Sequence, residues 1–202
     1  MLWRWLITAL FLVVTTTVPA DFKAGGDAYT RGDYKTAAAE FLAVAEKGDH
    51  RAMYALGSMY AVGNGVPQDY KMAMKWFQAA ARYGRPDAEF KVGLLYLQGL
   101  GVEQNFRRAL NWFGKSAEQG FVQAQYYIGK IYAEGNGVEQ NNVEACAWLT
   151  LAAEKGFTDA RTLLDTLTPN MTSGQLQQSR LLSESYRPNI AKHYNSYPYP
   201  SD

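Results

Sequence analysis

"YAVGNGVPQDYKMAMKWF" fills positions 60–77, and its recurrence decides the fold. Thirty-six residues later, positions 96–113 read "YLQGLGVEQNFRRALNWF", and after the same interval 132–149 read "YAEGNGVEQNNVEACAWL". Self-similarity at a fixed period of this size marks a chain built from stacked supersecondary units. The register is strict. Glycine recurs at 57, 93 and 129, at 63, 99 and 135, at 65, 101 and 137, and at 84, 120 and 156. Tyrosine holds 60, 96 and 132, tryptophan holds 76, 112 and 148, and alanine holds 52, 88, 124 and 160.

Each unit divides into two expected helices. Helix A covers 50–62, 86–98 and 122–134, with apolar residues at helical spacing (Ala52, Leu56, Met59, Tyr60 and their counterparts). Helix B covers 69–83, 105–119 and 141–155. It opens on Asp69, Asn105 or Asn141, whose side chains can accept from free first-turn amides. It closes at Gly84, Gly120 or Gly156, where a left-handed cap costs little. Gly-x-Gly-Val joins the two helices. The second glycine is expected at positive φ and the valine in the core. A glycine inside a helix costs about 1 kcal/mol against alanine. Its recurrence at 57, 93 and 129 therefore points to a neighbouring helix in close approach, with a tryptophan ring as the expected cover.

The pattern extends both ways. Gly32-Asp33-Tyr34-Lys35 aligns with Gln68-Asp69-Tyr70-Lys71, so 33–47 reads as a helix B with a partner at 22–31 and a loop lacking the insertion. Gly156 to Ala160 copies Gly120 to Ala124, but Asp165 then takes the glycine slot and Thr168-Pro169 replaces the tyrosine. Atypical ends suit terminal units, which bury one face only. The divisions are a partial repeat at 21–48, repeats at 49–84, 85–120 and 121–156, a partial repeat with capping helix at 157–186, and an extended Tyr/Pro-rich tail at 187–202.

Residues 1–20 stand apart. Arg4 is their only charge, Leu6 to Val14 is broken only by Thr8, and Val18-Pro19-Ala20 ends the run with small residues. This is the pattern of a secretory signal peptide cleaved after Ala20, and the run is shorter than the roughly 20 residues of a spanning helix. Without that segment and Arg4, 19 basic and 19 acidic residues remain, a net charge of zero. Such a balance supplies no basic excess for a nucleic-acid backbone and no polybasic run for a membrane surface. A single cysteine, Cys146, excludes an internal disulfide.

The series Ala52, Leu56-Gly57, Tyr60, Gly63, Gly65-Val66, Asp69, Ala73, Trp76, Ala80-Ala81 and Gly84 resembles the Sel-1-like repeat, a relative of the tetratricopeptide repeat. The next two units match almost as well, and "ACAWLTLAAEKG" at 145–156 looks like the last unit of short bacterial members. The resemblance implies an all-α fold, a right-handed α/α solenoid of Sel-1-like (tetratricopeptide-like) helix pairs. It also implies an exported scaffold, periplasmic or secreted, that binds a protein or peptide and needs no cofactor. Some cysteine-rich exported members act on β-lactams, so a cell-wall-related, β-lactamase-like hydrolase is the alternative. Those members carry a cysteine pair in each repeat, which this chain lacks.

Few residues suggest chemistry. Cys146 takes a slot held elsewhere by Met74 and Leu110, which reads as core. His50 and His193 are far apart and lack metal-ligand spacing. The Gly-x-Gly-Val loops follow no strand and carry glutamine (Gln68, Gln104, Gln140) where a dinucleotide loop needs glycine. The slots that change between units are more informative. On one face of helix A they read Arg51, Ala55, Ser58 and Val62, then Asp87, Lys91, Leu94 and Gln98, then Gln123, Tyr127, Lys130 and Glu134. In a helical solenoid the A helices line the concave surface. The expected partner-binding stripe is therefore Arg51, Asp87, Lys91, Leu94, Gln98, Gln123, Tyr127, Lys130 and Glu134, anchored by Leu94 and Tyr127.

Overall fold

The computed structural model describes residues 21–194. The signal peptide read at 1–20 and the last part of the tail, 195–202, lie outside the described residues. Within them the chain is helical: α1 (Phe22–Thr30), α2 (Tyr34–Ala45), α3 (His50–Val62), α4 (Tyr70–Ala81), α5 (Pro86–Gln98), α6 (Phe106–Glu118), α7 (Val122–Glu134), α8 (Asn142–Glu154), α9 (Thr158–Leu167), a 3-10 turn at Thr168–Asn170, and α10 (Ser173–Tyr194). From α1 to α9 each helix packs on the next, so odd-numbered A helices alternate with even-numbered B helices.

The B helices are capped by the expected side chains. Asp69 accepts from the amides of Lys71 and Met72, Asn105 from Arg108, and Asn141 from Val143 and Glu144. The loop before each cap is fixed by two contacts that repeat. The backbone amides of Asp69, Asn105 and Asn141 donate to the carbonyls of Tyr60, Tyr96 and Tyr132, each at 2.9 Å. The side-chain amides of Gln68, Gln104 and Gln140 donate to the last-turn carbonyls of Ala61, Leu97 and Ala133 at 2.7–2.8 Å. That glutamine slot therefore satisfies the orphan carbonyls at the end of helix A.

Both glycines of the loop, and not only the second, are left-handed. Gly99 caps α5 at φ 69°, and Gly101 follows at φ 71°. A Cβ on Gly101 would stand 2.5 Å from the Tyr70 carbonyl carbon, at the start of the preceding B helix. Gly65 meets Tyr34 and Gly137 meets Phe106 in the same relation, so this glycine packs one unit on the next. Val66, Val102 and Val138 are half-buried against the core.

The mid-helix glycines are covered by a different residue from the one expected. A Cβ on Gly57 would lie 2.6 Å from the Phe77 ring, and one on Gly93 2.6 Å from Phe113. At Gly129 the neighbour is Leu149, again at 2.6 Å. The covering side chain comes from the residue after the tryptophan, because that residue points inward from helix B. Gly25 and Phe41 repeat the contact in the first pair.

The C-terminal end departs most from expectation. α10 does not stop at 186 but continues through Pro188 to Tyr194, so the first part of the expected extended tail is helical. It packs along α8 and touches α6. Tyr186 stacks on Trp148 with ring centroids 4.4 Å apart, and its hydroxyl donates to Glu144 at 2.8 Å. Arg187 pairs with Glu154 at 2.6 Å. Glu144, Trp148 and Glu154 lie on the face of α8 that also carries Ala147 and Leu151, which are 0% and 5% exposed. The same slots hold exposed Lys75 in α4, and exposed Asn111 and Lys115 in α6. Ala147 and Leu151 are buried on this face because α10 covers it.

Candidate functional site

A ring stands at one slot of every A helix from the first to the fourth: Phe22, Tyr54, Phe90 and Tyr126. Each is met by a group from the start of the next A helix. The Arg51 guanidinium lies 4.5 Å from the Phe22 centroid, and Arg85 lies 5.1 Å from Tyr54. Phe121 lies 5.1 Å from Phe90, and Phe157 lies 5.1 Å from Tyr126. In the first two junctions the arginine is held by an aspartate two residues away, with the order exchanged: Asp49 holds Arg51, and Asp87 holds Arg85. The hydrogen bond from Arg51 holds the Asp49 carboxyl below its usual range. Cation over ring and ring against ring are alternative covers for the same surface.

This repeated junction explains two of the variable slots. Arg51 and Asp87 differ between units because each completes a local ion pair, so both are engaged within the chain. The expected anchors are also engaged. Tyr127 stacks on Phe113 at 5.4 Å and touches Phe90 at 5.6 Å, and Leu94 is half-buried against the central core. The exposed positions of the stripe are polar. Gln98 and Gln123 are exposed, Lys91 is half-exposed, and Lys130 pairs with Glu134 across one turn at 3.8 Å.

The structure brings Lys130 and Glu134 into a groove of about 310 Å³ between α7 and α9. Tyr126 completes its α7 wall, and Asp159, Thr162, Leu163 and Thr166 of α9 form the other. α9 continues the A-helix series, so the groove lies between two successive A helices. Its carboxylates, ammonium, hydroxyls and one tyrosine can hydrogen-bond an extended backbone and seat a small apolar side chain. The sequence reading ended its stripe at 134. It missed the α9 wall because the glycine and tyrosine that mark a unit are absent there.

Cys146 and His50 are engaged within the fold. Cys146 is 2% exposed, its Sγ is 3.3 Å from Met171 Sδ, and burial pushes its thiol up. That is opposite to an activated nucleophile. His50 lies 3.3 Å from Arg85 and stacks near Tyr83, while His193 falls at the end of α10. Among the described residues no group of three His, Cys, Asp or Glu could hold a metal, and no helix is long and apolar enough to cross a membrane.

The profile of the Sel1 repeat matches residues 50–84, 86–121 and 122–157. Among solved structures, a protective antigen present in uropathogenic Escherichia coli strains and displaying an SLR fold aligns over 88% of this chain, at 30% identity and a TM-score of 0.70. The chain spans 42% of that antigen's length. A Sel1 repeat protein from Oxalobacter formigenes aligns over 89% of this chain and 77% of its own, at 25% identity and a TM-score of 0.68. No curated protein matches the chain.

Proposed function

Because the chain belongs to the Sel1 repeat family, we propose that it is an exported, non-catalytic scaffold that holds a protein or peptide partner along the concave face of its A helices. The groove between α7 and α9 carries this reading. It is polar at the rim, has the Tyr126 ring on one wall, and lies on a solenoid's inner face, where an extended segment gains contacts from several units at once. The working residues are Lys91, Gln98, Gln123, Lys130 and Glu134 of the stripe, together with the α9 wall. Leu94 and Tyr127 shape the surface from beneath, and Arg51 and Asp87 are held in ion pairs of their own. Placement in the bacterial envelope rests on the apolar segment at 1–20 and its small-residue end. A mature chain beginning at Asp21 is the expected result of N-terminal sequencing.

The test is capture from an envelope extract by the immobilised chain. Lys91→Glu with Lys130→Glu reverses both concave ammonium groups without touching the core. This variant should lose the captured partner, while Lys35→Glu, on the B helix α2, keeps it. Equal capture by all three proteins would remove the concave face from consideration.

A further inference from the structure

The chain is neutral after residue 20, yet its charges are sorted in space. On α4 and α6, and at the residue that caps α4, stand Lys71, Lys75, Arg82, Arg107, Arg108 and Lys115, all exposed. The only acid on those two helices is Glu118. Among the described residues none of the six cations is in an ion pair. Lys115 lies 4.3 Å from the Trp112 centroid and Lys75 5.5 Å from Trp76, while Arg108 leans on Tyr96 at 5.5 Å. Three of the six cations thus lie against aromatic faces. The compensating acids gather toward the C-terminal end, at Glu134, Glu139, Glu144, Glu154, Asp159 and Asp165.

α10 shows how the chain itself fills this kind of face. On α8 the tryptophan slot takes a tyrosine ring, the slot four residues before it receives a hydroxyl, and the slot six residues after it takes an arginine. On α6 the same three slots are Trp112, Arg108 and Glu118. The tryptophan is kept, and the slot that accepts from α10 on α8 has become a cation. We propose that the outer face of α4 and α6 is a second docking surface, for an acidic polypeptide segment carrying aromatic side chains. Its carboxylates pair with Arg108, Lys115 and the cations of α4, and its rings lie against the tryptophan slots. The rings are sunk between helices rather than projecting, which suits a segment laid along the face better than a lipid surface. This surface is independent of the concave groove, and the two can be occupied together.

The probe is a fluorescently labelled random copolymer of glutamate and tyrosine, titrated with the full chain and read by anisotropy. Polyglutamate and vesicles of equal parts phosphatidylglycerol and phosphatidylcholine serve as comparisons. The copolymer should bind, and more tightly than polyglutamate. Arg108→Glu with Lys115→Glu should weaken binding by about tenfold or more at low salt, with helicity retained. Lys71→Glu with Arg107→Glu, remote from buried Glu89, should act in the same direction. Three results would overturn the proposal: equal copolymer binding by both variants, polyglutamate binding as tightly as the copolymer, or vesicle binding in place of copolymer binding.

Discussion

At the residue scale the units are joined by contacts that leave no room for a side chain. Gly101 combines a left-handed φ of 71° with a neighbour 2.5 Å from any Cβ, whereas Gly156 has φ 86° and nothing within 4 Å. Gly101→Ala should therefore cost about 3 kcal/mol, strain plus displacement of the Tyr70 backbone, and Gly156→Ala about 1 kcal/mol, strain alone. Denaturant midpoints of the two variants check the difference. Glu89 is the other residue with a measurable signature. It is buried in α5 with its carboxylate accepting from Gln119 at 2.7 Å, and it faces Lys115 and Glu118 of α6 and Asp87 of its own helix. Burial lifts its pKa from 4.5 to about 7, which Lys115 and Gln119 only partly offset. Between those values the folded chain keeps a proton that the unfolded chain has released, so stability falls as pH rises across that window. The loss is on the order of 2 kcal/mol after a discount for solvent screening. Glu89→Gln should flatten the dependence of the midpoint on pH over that range. An unchanged slope would mean that Glu89 titrates normally.

At the element scale the boundaries of the A and B helices were legible because apolar period, the side-chain caps of the B helices and the loop glycines agree. The extent of α10 was not. Pro188 and the following tyrosines read as a break, yet a helix docked on α8 tolerates the one amide that proline lacks. A signal for that docking was present in the sequence, in Ala147 standing where other units carry lysine or asparagine, and in Leu151 standing where α6 carries lysine and α4 alanine. It has meaning only once something is known to cover that face. Placing at 147 the residue found at 75 tests the cover. Ala147→Lys should destabilise by about 3 kcal/mol by burying an ammonium beneath α10, and Lys75→Ala should stay within about 0.5 kcal/mol. Thermal melting of both variants decides this.

At the scale of the whole molecule, the period revealed a solenoid and therefore a concave face, but not which residues on that face are free. Slots that vary between units point to a partner-binding stripe, but variation has a second cause. Arg51 and Asp87 vary because their pairing partners vary with them, and Tyr127 varies while remaining inside an aromatic cluster. Such compensation is visible only when residues from adjacent units are seen side by side. The summed charge misled in the same way, since a neutral total concealed a basic outer face and an acidic end. Site-specific photo-crosslinking tests most directly whether a partner lies in the groove between α7 and α9. A benzophenone side chain at Thr162, on the groove wall, should give one discrete adduct in the native envelope, and Lys130→Glu in the same chain should abolish it. A chain that gives no adduct from Thr162, but gives one from the same group placed at Thr36 on α2, would contradict the claim.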